Sequence, residues 1–510
     1  MKRKYIYVLL SVLTLNAYSQ KKEAANWIFG FRAGLTFKDD GTVEQIDGGS
    51  IRAHEGSSCI SDAYGNLLFY TNGQSIWDRN HVIMPNSDYS QGKGLFGDPS
   101  STQSSIIIPK KGSPNIYYVF TVDEPHHQNA AVYPNLFSGQ YANPAGNVPL
   151  DDNGFNNGFN YSIVDLSVIG ANGSIGDVIS RNNHLVTYNP SDSEEIRYKC
   201  SEKVTAVSNA SGSGYWVMTH FKDKFYAFEV TASGINSPVV TQIAPLVPVS
   251  GYRRNAIGAM KFSPNGQKIA VAHQQKGTST GNITLNGGVY LYDFNATTGR
   301  VSNAVTVSEG TTPYGLEFSQ EGKKLYVSYE YYYEFGGIHQ YDLLSSNIAS
   351  SDVQIGADTN VGLQLAPNGK IYIAHYLSNV LGVIAHPDAD GRDCFYDPYG
   401  QFIYLYNMFS SSGFPQFIAS DLKRLSVITQ QMEKIILYPN PVSDILHIKN
   451  PRLISIEKLQ ILDNSGRILK QIDCNGFSDA AIDVSGLSAG LYHLNINMPE
   501  GDFTHKFIKQ

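Results

Sequence analysis

Seven polar side chains in this sequence stand at matching points of a recurring strand pattern and could bind a ligand together. Their carboxylates, carboxamides and guanidinium could form a polar ring that holds a cation or a small polar ligand. A hydrolase or lactonase would use two or three of the carboxylates around calcium, which prefers about six to eight oxygen ligands. In the alternative interpretation, each side chain only joins neighbouring strands by hydrogen bonds. The seven residues are Glu55, Gln103, Glu202, Arg254, Glu317, Gln364 and Gln416.

Histidines could supply a general base for the same chemistry. By position, the candidates are His54, His220, His273 and His375. None of them lies in a metal-ligand spacing such as H-E-x-x-H. The residue types therefore favour a binding protein and leave open the alternative of a metal-dependent enzyme.

The elements that would position these side chains follow from a repeated unit. A short strand of small residues is followed by a glycine-containing turn and a strand of alternating apolar and aromatic residues, and two copies continue into a third strand and an outer edge strand. Four strands per unit at a repeat of about 50 residues are typical of a β-propeller blade. The clearest copies start at Gly258, Gly315 and Gly362, and the others start near Ser57, Gln103, Lys203 and Phe414.

Seven innermost strands predict a seven-bladed β-propeller, with the channel mouth as its ligand site. We expect the last innermost strand, 414–418, to complete one blade with strands at 26–37, because joining the two ends leaves no open sheet edge. A long surface loop that contains His126 and His127 is predicted before residue 159. Between two strands, Tyr329, Tyr331, Tyr332, Tyr333 and Phe335 form an aromatic cluster that we expect to be partly buried.

Composition and charge limit the class of protein. The chain has 510 residues, of which 47 are glycine, 33 tyrosine and 24 phenylalanine, and only 16% are charged, which indicates an all-β fold. Its formal charge of −7 argues against a nucleic-acid partner, which would require a basic surface. Four widely spaced cysteines, at 59, 200, 394 and 474, allow three disulfide pairings, and we expect at least two of them to be buried thiols.

The first residues have the three parts of a signal peptide. Lys2, Arg3 and Lys4 precede an apolar run, and Ala17 and Ser19 provide small residues for cleavage after residue 19. The run is about half the length of a membrane-spanning helix, so we expect no membrane insertion. The predicted domains are a signal peptide (1–19), a β-propeller (20–422), a linker (423–434) and a small β-sandwich (435–510), whose period-two alternation indicates half-buried strands.

Residues of this last domain resemble the type A sorting domain of the type IX secretion system of Bacteroidetes. The resemblance implies that the type IX secretion machinery recognises the domain at the outer membrane and usually removes it. The protein would then be released or attached to the cell surface. The matching residues are Tyr438, Pro439, Asn440, Pro441, Gly466, Gly490, Tyr492, Lys506 and Lys509.

The propeller resembles exported Bacteroidetes propellers through the segments 55–58, 66–73, 100–104, 117–121 and 215–220. Its Pro-Asn-Gly turns are similar to those of YVTN and lactonase-type propellers. We therefore expect a secreted or cell-surface propeller that recognises an extracellular protein or glycan and needs no cofactor. The alternative is a secreted hydrolase or lactonase with a metal site, for which calcium is the candidate, at the channel mouth. The sequence leaves open the ligand, the propeller face that binds it and the oligomeric state.

Overall fold

The computed structural model describes residues 21–124, 157–249, 254–277, 285–330, 336–359, 361–403, 408–422, 436–449, 456–463, 467–477, 480–498 and 501–510. These residues fall into two units, one within Ser19–Arg424 and the other within Leu425–Gln510. The predicted signal peptide and linker lie outside the described residues, so their boundaries remain predictions. Among the described residues, no helix is long and apolar enough to cross a membrane.

The first unit is the predicted seven-bladed propeller. In most blades, consecutive strands pair antiparallel, from an innermost strand at the axis to an outermost strand at the rim. The first three blades are as follows: blade 1 has β1 (Asn26–Phe29), β2 (Ala33–Phe37) and β3 (Val43–Gln45); blade 2 has β4 (Ser57–Ser61), β5 (Leu67–Thr71) and β6 (Ile76–Asp78); blade 3 has β7 (Ser105–Pro109), β8 (Ile116–Val122), β9 (Phe159–Ile169) and β10 (Ile175–Leu185).

A short α-helix, α1 (Ser193–Tyr198), lies between blade 3 and blade 4 in the sequence. Blade 4 has β11 (Val204–Ser208), β12 (Tyr215–Phe221), β13 (Lys224–Thr231), β14 (Gly234–Ile235) and β15 (Val239–Gln242), and blade 5 has β16 (Met260–Phe262), β17 (Lys268–His273), β18 (Gly287–Asn295) and β19 (Arg300–Thr311). The last two blades have the same order. Blade 6 has β20 (Pro313–Phe318), β21 (Lys324–Tyr329), β22 (Gly337–Asp342) and β23 (Val353–Gly356), and blade 7 has β24 (Leu363–Leu365), β25 (Ile371–Ile373), β26 (Val380–Ile384) and β27 (Tyr396–Phe402).

Local sequence explains the innermost hairpins, as blade 5 shows. Gly266 has a φ of +71°, a conformation that other residues rarely adopt. Its N–H donates to the Ser263 carbonyl at 2.8 Å, and the Ser263 hydroxyl donates to Asn265 Oδ1 at 2.7 Å. The turn sets the register that places Phe262 of β16 opposite Ile269 of β17, and both side chains are buried in the core.

Hydrophobic clusters between successive blades close the ring. Phe69 of blade 2 packs on Tyr117 of blade 3 with ring centroids 5.3 Å apart, and Phe159 of blade 3 packs in the same way on Phe228 of blade 4 at 5.6 Å. Blade 1 joins blade 7 because fully buried Trp27 lies 5.5 Å from Tyr372, ring to ring. Every blade described thus shares a hydrophobic core with the next.

The segment Phe414–Leu422, which we call the axial plug, corrects the predicted pairing of the chain ends. Its strand β28 (Pro415–Gln416) pairs in parallel with Ser57–Ser58 of blade 2, and does not form a ladder with β1. Pro415 has no N–H to contribute to a ladder, which limits the pairing that this segment can make. The two ends still meet, because Phe414 packs on Trp27 with ring centroids 5.3 Å apart.

The axial plug continues along the channel beyond blade 2. Ile418 forms a parallel bridge with Ala206 of blade 4, and Ser420 accepts a hydrogen bond from the Ser208 N–H at 3.1 Å. The innermost strands begin at one end of the channel. At the other end, Asp421 forms an ion pair with Lys21 at 2.6 Å. The last segment of the propeller therefore fills the axis and connects several blades.

The second unit is a β-sandwich, as predicted. Its two sheets enclose a core that includes Leu446, Leu459, Leu494, Ile496 and Phe507. One sheet has β29 (Ile436–Tyr438), β30 (Ile445–Lys449) and β33 (Ala480–Asp483), and the other has β31 (Ile456–Leu462), β32 (Ile468–Phe477), β34 (Gly490–Met498) and β35 (Gly501–Lys509).

All four cysteines, Cys59, Cys200, Cys394 and Cys474, are buried free thiols. Burial raises the pKa of the Cys59 and Cys200 thiols, so both stay protonated at neutral pH. None of the disulfide pairings that the sequence allows is formed.

Candidate site at the channel mouth

The innermost strands of blades 2 to 7 begin at the same end of the channel, which we call the mouth. Backbones from neighbouring blades touch there, so a side chain has no room. A Cβ placed on Gly315 would lie 2.2 Å from the Val361 carbonyl oxygen, and one placed on Gly413 would lie 2.3 Å from that of Glu55. The small residues of the repeat are therefore required by the crowding at the axis.

Hydrogen bonds between blades span the mouth. The Tyr314 hydroxyl of blade 6 donates to Glu55 Oε2 at 2.6 Å. Glu202 Oε2 accepts from both the N–H and the hydroxyl of Thr102, at 3.0 and 2.9 Å. Thr102 Oγ1 in turn accepts from the Gly258 N–H at 3.3 Å. Two of the seven predicted residues, Glu55 and Glu202, thus meet at the mouth.

Three further carboxylates, which the sequence analysis missed, belong to the same region. Asp98 is fully buried, and its Oδ1 accepts from the Ser100 N–H at 2.7 Å. Asp123 and Glu124 directly follow β8, whose C-terminal end lies at the mouth. The signal that could have revealed Asp123 and Glu124 is topological, because a residue that follows the second strand of a blade returns to the mouth.

Burial controls the charge of these carboxylates. Burial, and then the charge of Glu202, raises the pKa of Glu55 well above its usual range. Burial, and then the charge of Glu124, has the same effect on the pKa of Asp98. The mouth therefore holds carboxylates that ionise less readily than carboxylates in water.

Below the mouth, two of the predicted residues form the interblade hydrogen bonds of the alternative interpretation. The Gln103 amide donates to the Met260 carbonyl and to Gln416 Oε1, both at 2.9 Å, and its Oε1 accepts from the Met260 N–H at 2.8 Å. Gln416 belongs to the axial plug. Gln103 therefore joins blade 5 to the plug.

Glu317 and Gln364 surround a buried lysine further along the channel. Lys261 Nζ lies 3.3 Å from Glu317 Oε2 and donates to Gln364 Oε1 at 2.5 Å. Glu317 Oε2 also accepts from the Leu365 N–H at 3.1 Å. Between this lysine and the mouth lies a small cavity of about 20 Å³, lined in part by Thr102 and Lys261.

The three carboxylates that the calcium hypothesis requires therefore do not converge. Glu55 and Glu202 lie at the mouth, whereas Glu317 is engaged by Lys261 and a backbone amide below it. In the part of the chain that the structure describes, no three or more histidine, cysteine, aspartate or glutamate side chains are arranged to hold a metal ion.

The remaining predicted residues are Arg254 and the four candidate histidines. Arg254 Nη1 donates to Gln274 Oε1 at 3.1 Å and lies 3.6 Å from Glu330 Oε2, on loops at the mouth end of blades 5 and 6. His220 and His273 are buried against each other with ring centroids 5.0 Å apart, and burial lowers the pKa of His220 to about 3.

His54 is buried with its ring against Phe31, and His375 Nε2 lies 3.2 Å from Asp358 Oδ1. His126, His127 and the aromatic residues 331–335 lie outside the described residues. Tyr329, the described member of the aromatic cluster, is buried. It donates to Ser308 Oγ at 2.8 Å.

One segment of blade 5 matches the G-x-S-x-G pattern of serine hydrolases. Gly277-Thr278-Ser279-Thr280-Gly281 has the letters of G-x-S-x-G, but a nucleophile elbow is a turn from a strand into a helix. Here the pattern connects β17 to β18, two antiparallel strands of blade 5. Residues 278–284 lie outside the described residues, and the hairpin context does not support a serine nucleophile.

In the sandwich, residues that are distant in sequence come together at one edge. Asn440 Oδ1 accepts from the Ile508 N–H at 2.9 Å, and its amide donates to the Lys506 carbonyl at 3.3 Å. Val442 bridges Lys509 in parallel. The Tyr438-Pro439-Asn440-Pro441 segment is thereby held along the C-terminal strand β35.

The other sorting residues lie on the same strands or on turns. Gly490 pairs with Lys509. The Tyr492 ring stacks on Phe507, with centroids 5.7 Å apart. Gly466 lies outside the described residues.

Comparison with known families identifies the sandwich. Residues 436–510 match the family "Secretion system C-terminal sorting domain". The chain ends in a type IX sorting domain. The protein is therefore exported by the type IX secretion system and is either released or attached to the outer cell surface.

Comparisons for the propeller concern its fold. Residues 268–392 match the family "Lactonase, 7-bladed beta-propeller". The chain is similar to the crystal structure of a proposed 6-phosphogluconolactonase from Bacteroides uniformis, at 12% identity and a TM-score of 0.43, covering 77% of this chain and 98% of that one. A second such protein, from Bacteroides fragilis, has 9% identity and a TM-score of 0.42, with 76% and 96% covered. No curated protein matches the chain.

Proposed function

We propose that this exported propeller is a binding protein that recognises an extracellular partner with the face that surrounds the mouth. The supporting observation is a set of exposed apolar side chains on loops that lead to or from this end of several blades. These residues are Leu246, Leu285, Tyr376, Leu377 and Phe409.

The chemistry of this face suits binding better than metal-dependent hydrolysis. Large apolar side chains that stay exposed in a folded protein often mark interaction sites, and aromatic ones contribute much of the binding energy. Leu377 also has a φ of +50°, a conformation that is unfavourable for a bulky residue. The axial plug and the buried cluster of Lys261, Glu317 and Gln364 obstruct the channel, so a partner would contact the loops and the mouth.

Two exposed tyrosines provide a matched test. Tyr376 is 52% exposed on a loop at the mouth, and Tyr64 is 84% exposed on a hairpin turn at the opposite face. Immobilised protein is used to capture partners from outer-surface extracts and to probe a glycan array. We expect Tyr376→Ser to weaken capture by about tenfold or more, as for an aromatic contact at an interface, and Tyr64→Ser to leave it unchanged. Equal capture by both variants would place the binding surface elsewhere.

A lactone hydrolase is the second candidate, because residues 268–392 match the lactonase family. Its acid or base would be Glu55, a carboxyl group at the mouth whose pKa is raised by burial. The test is hydrolysis of phosphorylated and simple lactones by the wild-type protein and by Glu55→Gln. Turnover that Glu55→Gln abolishes would replace the binding proposal, whereas no turnover would remove this candidate.

A further inference from the structure

Asp98 at the mouth has one carboxylate oxygen without a partner. The side chain is fully buried, Oδ1 accepts the Ser100 N–H, and Oδ2 accepts no hydrogen bond. The hydroxyl of Thr121, which is also fully buried, has no hydrogen-bond partner either, and its side chain packs against Gly97. Two buried oxygen atoms in this region can thus accept hydrogen bonds.

The surroundings of Asp98 are strongly acidic. Glu202 and Glu124 lie within electrostatic range of its carboxylate, and Glu55 interacts in the same way with both of them. Among the described residues, no lysine or arginine forms an ion pair with Asp98 or Glu55. Lys203, adjacent to Glu202 in sequence, interacts electrostatically with Glu202 and donates to the backbone carbonyls of Ala256 and Ile257.

We propose that this acidic pocket binds the ammonium group of a lysine side chain from the partner protein, an inference that rests on the proposed binding function. Anionic groups removed from water need a compensating cation, and an ammonium group offers three N–H donors for the free oxygen atoms. Glu55 is only partly buried, whereas Asp98 and Thr121 are fully buried, so a lysine would enter past Glu55 with a local opening of the mouth.

A lysine side chain fits the site better than an amino sugar. Its four-carbon stem can extend past the apolar loop residues around the mouth and deliver the charge into a narrow pocket. A sugar ring would have to enter a channel end where neighbouring backbones already touch, as they do at Gly315 and Gly413.

Calorimetric titration of the full-length secreted protein tests the proposal. The probes are Nα-acetyl-lysine amide and its neutral counterpart Nα-acetyl-norleucine amide, with glucosamine as the amino-sugar probe. We expect the lysine derivative to bind, the norleucine derivative to bind at least about tenfold more weakly, and Asp98→Asn to remove that difference. Glu321→Gln, which removes an exposed carboxylate beside Lys323 on the hairpin turn between β20 and β21 at the opposite face, should leave it unchanged.

Several outcomes would overturn the inference. These are equal binding of the lysine and norleucine probes, no binding of either, an unaltered preference in Asp98→Asn, or binding of glucosamine alone. A melting curve checks that Asp98→Asn is folded, and Glu55→Gln serves as a second variant if it is not. Partner capture that depends on Tyr376 without any lysine preference would leave the binding function intact and refute only this inference.

Discussion

Asp98 and Glu55 show how the environment of a single carboxylate sets its chemistry. Both lie where burial and neighbouring charges raise the pKa. A group whose pKa is higher in the folded state than in the unfolded state favours folding below the unfolded pKa, roughly 4 for aspartate. That contribution is lost as the pH rises towards the folded pKa, so these carboxylates oppose folding at neutral pH.

We therefore expect Asp98→Asn to stabilise the protein at pH 8 and to have little effect at pH 4. The substitution keeps an oxygen for the Ser100 N–H and removes a buried charge, so the gain should be about 1–2 kcal/mol. Urea unfolding at both pH values measures it. A variant that is less stable than the wild type at pH 8 would show that the Asp98 charge is already compensated.

At the residue scale, matching positions in the repeat predicted neither how deep in the channel a side chain acts nor the direction in which it points. Glu55, Gln103 and Glu202 each lie two residues before an innermost strand. The carboxylates of Glu55 and Glu202 bridge blades at the mouth, whereas Gln103 bonds to Met260 and the axial plug. Direction depends on partners from other blades, which no local pattern encodes.

At the scale of elements, the junction of blade 1 with blade 7 is where the ring closes. Trp27 is fully buried and contacts Phe37, Tyr372 and Phe414. Its indole N–H is buried and has no hydrogen-bond partner. The ring packing of Trp27 therefore carries the contact, and its polar atom adds no hydrogen bond.

Two substitutions separate these contributions. Trp27→Ala should lower the free energy of unfolding by about 3–5 kcal/mol, because it leaves a cavity at the closure. Trp27→Phe keeps most of the ring contacts and removes the unsatisfied N–H, so it should cost less than about 1.5 kcal/mol. Chemical denaturation of the two variants compares them. Similar losses would indicate that the tryptophan N–H, or the full size of the indole, is essential.

The repeat was sufficient to predict seven blades, because turn residues and strand alternation are local. The pairing of the last strand was not predicted correctly. Segment 414–418 stands where the repeat predicts an innermost strand, but Pro415 cannot join a full ladder and the segment follows the axis to Ala206. Competition between two partner strands is a tertiary effect that the segment itself does not reveal.

At the scale of the whole molecule, the sorting domain determines where the propeller acts. A chain that ends at residue 422 keeps every described strand of the propeller but lacks β29 to β35. We expect this chain to remain in the periplasm, whereas the full-length protein reaches the medium or the outer surface. Fractionation followed by immunoblotting measures the distribution. Release of the truncated chain at the wild-type level would mean that export does not need the sorting domain.

The axial plug also gives the propeller a mechanical polarity. The plug runs from the mouth to the opposite end, where Asp421 is paired with Lys21 and the described part of the propeller ends at Leu422. If the protein is tethered to the cell through its C-terminal side, the mouth faces away from the attachment point. Traction on that tether would act along the plug and load its parallel contacts with Ser57, Ser58 and Ala206 in shear. The same segment that fills the channel would thus transmit force from a bound partner to the cell.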